Sequence, residues 1–166
     1  MKNTQKLVMT TLLAALITVM TAYICHIPVG VNGGYIHFGD ALIYIAASTL
    51  PLPYALLAAA IGGGLADLLT APMWMIATII IKMAITLPFT SKNSKIICVR
   101  NVIAVFISGV ISTVGYAVAE GLLFQNWAVS LASVAANLIQ SGGSAVIFII
   151  LGLALDKCEF KSKVMR

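Results

Sequence analysis

A chain of 166 residues, 61% hydrophobic and only 9% charged, cannot build a water-soluble surface, because a soluble domain carries about 25% charged residues. The length suits one domain, 1–166, and leaves no polar stretch long enough for a second. The net charge of +5 does not point to nucleic acid, since the basic residues lie between apolar runs with no interleaved aromatics.

Lys2 and Lys6 precede an apolar run over residues 7–25. The run is long for the core of a signal peptide and no small-x-small cleavage site closes it, so it reads as a retained first span. Along it Thr10, Ala14, Thr18 and Ala22 recur every four residues, a small-residue stripe that lets another helix approach closely. The stripe faces either this chain's own bundle or a partner protein. The segment 26–38 holds Gly30, Asn32, Gly33, Gly34, Tyr35 and His37, and reads as a glycine-rich cap or a plain connector.

Residues 38–69 are too long for one straight span and short for two, with a helix break expected at Pro51 and Pro53. Residues 73–89, interrupted by Lys82, give another span, and 97–123 and 129–155 give two more. Basic residues settle the parity. They cluster before the first span (Lys2, Lys6), in one loop around the start of the fifth span (Lys92, Lys95, Arg100), and in the tail (Lys157, Lys161, Lys163, Arg166). Cytoplasmic segments collect Lys and Arg, and the three clusters share a side only if 38–69 contributes two crossings, as 39–50 and 54–69. The expected fold is therefore all-α: six transmembrane helices in one bundle in the plasma membrane, with both termini cytoplasmic.

That topology gathers polar residues in the outer half of the bundle. Asp40 starts the second span, Asp67 ends the third and Glu120 lies late in the fifth. Tyr116 shares a helix face with Glu120, Asn137 shares one with Gln140, and Trp74 opens the fourth span. Charge inside a membrane is costly and marks function or pairing. With Asn32 and Tyr35 of the first loop, these residues (Asp40, Asp67, Trp74, Tyr116, Glu120, Asn137 and Gln140) form the candidate substrate pocket. Each has a structural alternative. Asp40 caps a helix, Glu120 snorkels to water, Trp74 and Trp127 join the interfacial aromatic belt, Asp67 pairs with Lys82, and Asn137 and Gln140 bridge helices. No metal site is expected from two isolated histidines, and Cys25, Cys98 and Cys158 make no metal or redox motif. There is no phosphate loop and no hydrolase motif, so neither catalysis nor a bound cofactor is expected of this chain.

The run Gly34-Tyr35-Ile36-His37-Phe38-Gly39-Asp40-Ala41, then Gly62-Gly63-Gly64-Leu65-Ala66-Asp67, Ile79-Ile80-Ile81-Lys82 and Asn137-Leu138-Ile139-Gln140, resembles the substrate-binding S components of energy-coupling factor (ECF) transporters. It is most similar to the branch grouped with riboflavin, hydroxymethylpyrimidine and pyridoxine carriers. The resemblance implies six helices, an outer vitamin pocket capped by the first loop, and a partner module of a membrane coupling protein and two ATPases. It also implies docking through an Ala-x-x-x-Ala pattern on the first helix, here replaced by Thr10-x-x-x-Ala14 and Thr18-x-x-x-Ala22. A stand-alone facilitator or channel is the alternative, and would need a polar path through the inner half.

Overall fold

The computed structural model describes residues 2–24, 27–28 and 35–164. Helix α1 (Asn3–Ala22) leads to two short antiparallel strands, β1 (Ile27–Pro28) and β2 (Tyr35–Ile36), which pair Ile27 with Ile36 and Pro28 with Tyr35. Then follow α2 (Gly39–Thr49), α3 (Leu52–Thr70), a 3-10 turn (Pro72–Trp74), α4 (Met75–Ala84), α5 (Val99–Phe124), α6 (Trp127–Lys157) and a short α7 (Phe160–Val164). Four of these, α1, α3, α5 and α6, are long and apolar enough to cross a membrane. Their exposed faces carry side chains such as Leu12, Leu57, Phe106 and Leu131. Such side chains suit lipid, since a helix apolar all round belongs in a core or a membrane.

The break expected at the two prolines falls between α2 and α3. Pro51 is the N-cap of α3 and Pro53 lies within its first turn, so α3 begins at Leu52 and not at 54. A first-turn proline lacks an N–H that would have had no helical partner anyway. The fourth apolar run, expected helical over 73–89, is α-helical only over 75–84 and ends in turns stabilised by Thr86 and Leu87 N–H bonds to Met83 and Ala84 carbonyls.

The three basic clusters meet at one end. Thr4, Gln5, Val8 and Met9 of α1 share a groove with Val164 of α7. Lys161 Nζ donates to the carbonyls of Ser91 (2.9 Å) and Asn93 (2.6 Å). The ammonium of Lys6 stands over the Tyr54 ring at 5.8 Å, placing the start of α3 at the same end. Asp156 accepts from the N–H groups of Ile96 and Ile97 at 2.7 and 2.9 Å, and Asn101 is bonded to both Thr90 and Ile96. The α4–α5 connection is thus pinned by carboxylate, amide and ammonium groups that satisfy its backbone. Burial pulls the pKa of Lys161 below the ordinary lysine value, and Asp156 and Cys98 oppose that shift.

The small-residue stripe of α1 packs inside this bundle. Thr10, Ala14 and Ala22 are buried, and Thr18 Oγ1 donates to the Gly62 carbonyl at 3.1 Å. A Cβ on Gly62 would stand 2.7 Å from Ile17 and 3.0 Å from the Ala14 carbonyl oxygen. Thr10, Ala14, Thr18 and Ala22 therefore line the α1–α3 seam within this chain. The reason is a matching stripe, with Ala58, Gly62 and Ala66 of α3 buried opposite. Ala14→Leu should overpack this seam and lower stability by about 1–3 kcal/mol. The same substitution at exposed Ala15 should leave the melting temperature of the purified protein unchanged. Equal melting of both variants would place the seam elsewhere.

Candidate functional site

The site is built around a buried ion pair. Lys82 Nζ lies 2.6 Å from Asp40 Oδ1, with the two side chains 1% and 0% exposed. The pairing expected between Lys82 and Asp67 is not formed; Lys82 reaches across to α2. Space for its stem comes from Gly63 on α3, where a Cβ would come within 2.9 Å of Lys82 Cγ. The ammonium also stands 5.0 Å from the centre of the Tyr116 ring, a cation–π contact from α5. Tyr116 in turn shares a 3.0 Å hydrogen bond with Thr78 of α4 and packs its ring at 6.1 Å from Trp74, which itself lies 5.8 Å from Phe124.

Asp40 does not cap α2. The N-cap is Phe38, whose side chain makes no capping bond, and Asp40 is the second residue of the first turn. There the helix dipole favours its negative charge. Nor does it lie at the rim of the bundle. The neighbouring segment is hydrogen-bonded to Gln140 through the His37 N–H and Gln140 Oε1 at 3.4 Å. At 1.5 Å per residue, Gln140 is about 20 Å along α6 from Trp127. The start of α2 is thus level with the end of α1, where Gly39 packs on Thr21, and the outer ends of the longer α5 and α6 extend beyond it. His37, Gln140, Tyr44 and Tyr116 are further polar groups near the Asp40 carboxylate. Gln140 makes no hydrogen bond of good geometry to it, because Asp40 Oδ2 is buried without a partner.

One level toward the basic end, aromatic rings fill the bundle. Tyr44 stacks on Phe89 at 5.0 Å, and both meet Phe148 edge-on at 5.8 Å. The result is a polar floor over a closed aromatic layer. The floor offers one carboxylate oxygen, an ammonium, an amide and two aromatic faces, so it can match a flat ring that carries both donors and acceptors. Among the described residues no group of His, Cys, Asp and Glu is arranged to hold a metal ion.

Residues 1–157 match the family model described as "ECF-type riboflavin transporter, S component". The chain belongs to this family. No curated protein matches the sequence. S components are membrane-embedded substrate-binding subunits of transporters and not an enzyme family, and the long apolar helices agree with a multi-pass membrane protein.

Within this S component the candidate residues separate by position. Asp40, Tyr116, Trp74 and Gln140 come together around Lys82. Asp67 is buried on α3, close enough to Tyr116 for their charges to interact. Glu120 is buried one turn beyond Tyr116 on α5, so it does not snorkel freely. Asn137 is half-buried one turn outward from Gln140 and makes no hydrogen bond among the described residues. Trp74 is buried at 7% exposure, whereas Trp127 is 55% exposed, so only the latter suits an interfacial belt. Tyr35 contributes its backbone to β2, and Asn32 lies outside the described residues. Lys82, Thr78 and His37 were not among the candidates. For Lys82 the signal was present: a lone lysine in an apolar run must find a counter-charge.

Proposed function

We propose that this S component captures a small, mostly uncharged heterocycle of the B-vitamin class from outside the cell. A partner module of a coupling protein and two ATPases then drives its delivery inward. In this reading six helices cross the plasma membrane, the short α2 and α4 included, and the basic end of the bundle is cytoplasmic. The clustering of Lys6, Lys161 and the α4–α5 connection at one end supports that orientation.

The observation that carries the ligand class is the free Asp40 Oδ2 beside an already neutralised Lys82. A buried acceptor without a partner costs about 1–3 kcal/mol, and a ring N–H supplies the missing donor. The Gln140 amide serves an adjoining carbonyl or nitrogen, and Trp74 and Tyr116 flank the ring plane. The site is neutral as a pair, with Asp67 and Glu120 near it, which disfavours a strongly anionic ligand. The closed Tyr44–Phe89–Phe148 layer favours capture over an open channel.

The family description names riboflavin, so riboflavin is the first ligand to titrate, followed by pyridoxine, hydroxymethylpyrimidine and thiamine. Gln140→Ala should weaken binding of the preferred vitamin by about tenfold to a hundredfold, the cost of one buried hydrogen bond, while the protein stays folded. Asn137→Ala tests the same reading one turn outward. Tight binding of a metal ion or an oligoanion, unaffected by both substitutions, would overturn it.

A further inference from the structure

His37 stands between the first loop and the site and belongs to no part of it described so far. Its side chain is 4% exposed, and its Nδ1 accepts the Gly39 N–H at 3.0 Å. A backbone N–H can only donate, so Nδ1 carries its lone pair and the ring is neutral, with its proton on Nε2. This ring-to-backbone bond reaches two residues on, as an Asx turn does, and sets the entry into α2 just before Asp40. Two further contacts hold the same turn. The His37 N–H bonds to Gln140, and Gly39 is packed so closely on Thr21 that a Cβ there would overlap the Thr21 hydroxyl.

We propose that His37 is a pH-sensitive positioning residue for the ligand site. In its neutral form it fixes the turn and leaves Asp40 Oδ2 open to ligand. In its protonated form it loses the bond to Gly39, because two donors then face each other, and the imidazolium turns onto the free Oδ2 oxygen and occupies it.

The surroundings allow both states. From α2 the charge facing His37 is the Asp40 carboxylate, which attracts the imidazolium. From α4 it is the Lys82 ammonium, already paired with that carboxylate, and from α5 the neutral Tyr116 lies beyond Lys82. From α1 it is uncharged Thr21, and from α6 uncharged Gln140. Neither α1 after Lys6 nor α6 before Asp156 carries a charged residue. Histidine is the side chain whose charge ordinarily changes between about pH 5 and pH 8.

This inference rests on the proposed ligand site only for its consequence, and a ligand-free readout keeps the two separable. In fluorescence titrations of the full-length protein with riboflavin, affinity should fall about tenfold between roughly pH 8 and pH 5. His37→Asn supplies an oxygen acceptor to the same N–H without titrating. It should keep the affinity seen at high pH and lose the pH dependence, while His37→Ala should bind more weakly throughout. Without ligand, the attraction of the imidazolium to Asp40 should make acidification raise the melting temperature of the parent relative to that of His37→Asn. Nitrogen-15 histidine spectra of a His26→Gln background, which leaves one histidine, should show the Nε2–H tautomer at high pH. If riboflavin binds at no pH, the melting and tautomer measurements decide alone. A proton on Nδ1 at high pH, or the same pH slope in the parent and His37→Asn, would overturn the proposal.

Discussion

Lys82→Met is expected to cost about 3–5 kcal/mol of stability, because it strands the Asp40 carboxylate in a site that is 0% exposed. The figure is the penalty for an uncompensated buried charge and not the net worth of the pair. Asp40→Asn alone should also destabilise, since it leaves the Lys82 ammonium with only the Tyr116 face for compensation. The double replacement, Asp40→Asn with Lys82→Met, removes both charges and should recover most of the loss. Thermal unfolding of the purified protein in detergent reads these differences directly. Ligand titration then separates two roles that stability alone cannot: the recovered double variant should stay folded and fail to bind vitamin. A Lys82→Met protein as stable as its parent would mean the pair is not formed. A double variant that binds normally would make it purely architectural.

The ion pair also shows where sequence reading runs out. Counter-charge for Lys82 is demanded by the membrane environment, but Asp40 and Asp67 answer that demand equally well on paper. The choice depends on how far α2 starts inside the bundle, and that depth is set by eleven residues of helix ending at Leu50–Pro51. The prolines were legible and so was the break. What was not legible is how short α2 is, so that its acidic first turn lands near Gln140, about midway along α6. The meeting of the second and third basic clusters, by contrast, was legible from charge alone, and the bonds of Lys161 to Ser91 and Asn93 bring them to one end.

The stripe on α1 was ambiguous for a different reason. Period-four small residues announce a close helix neighbour but carry no address. The stripe of Ala58, Gly62 and Ala66 on α3 has the same period, and the fit of the two over Ile17, Thr18 and Gly62 satisfies both within one chain. The three consecutive glycines of α3 make the same point. Gly62 admits α1, while Gly63 and Gly64 admit Lys82 and Ile79 of α4. Successive helix positions turn by about 100°, so one tripeptide serves two interfaces. The His37 turn left only a faint trace, a histidine two residues before the first residue of a helix, in a position where Asn or Asp would ordinarily signal a turn.

Accumulation of the vitamin against a gradient is expected to be abolished when the chain is alone in the membrane, the largest effect predicted. A buried floor with one free carboxylate oxygen and an aromatic layer beneath it binds; it has no means of doing work. Concentrating a solute a thousandfold costs about 4 kcal/mol, at 1.4 kcal/mol per tenfold, and that free energy must enter in every cycle. The sequence contains no phosphate-binding loop to draw it from ATP. Vesicles holding the chain alone should therefore retain about one vitamin per protein. Vesicles that also hold a coupling protein and its ATPases should load far beyond that on addition of ATP, and a non-hydrolysable analogue should return them to the bound level. Uphill loading by the chain alone would show that it is a carrier in its own right.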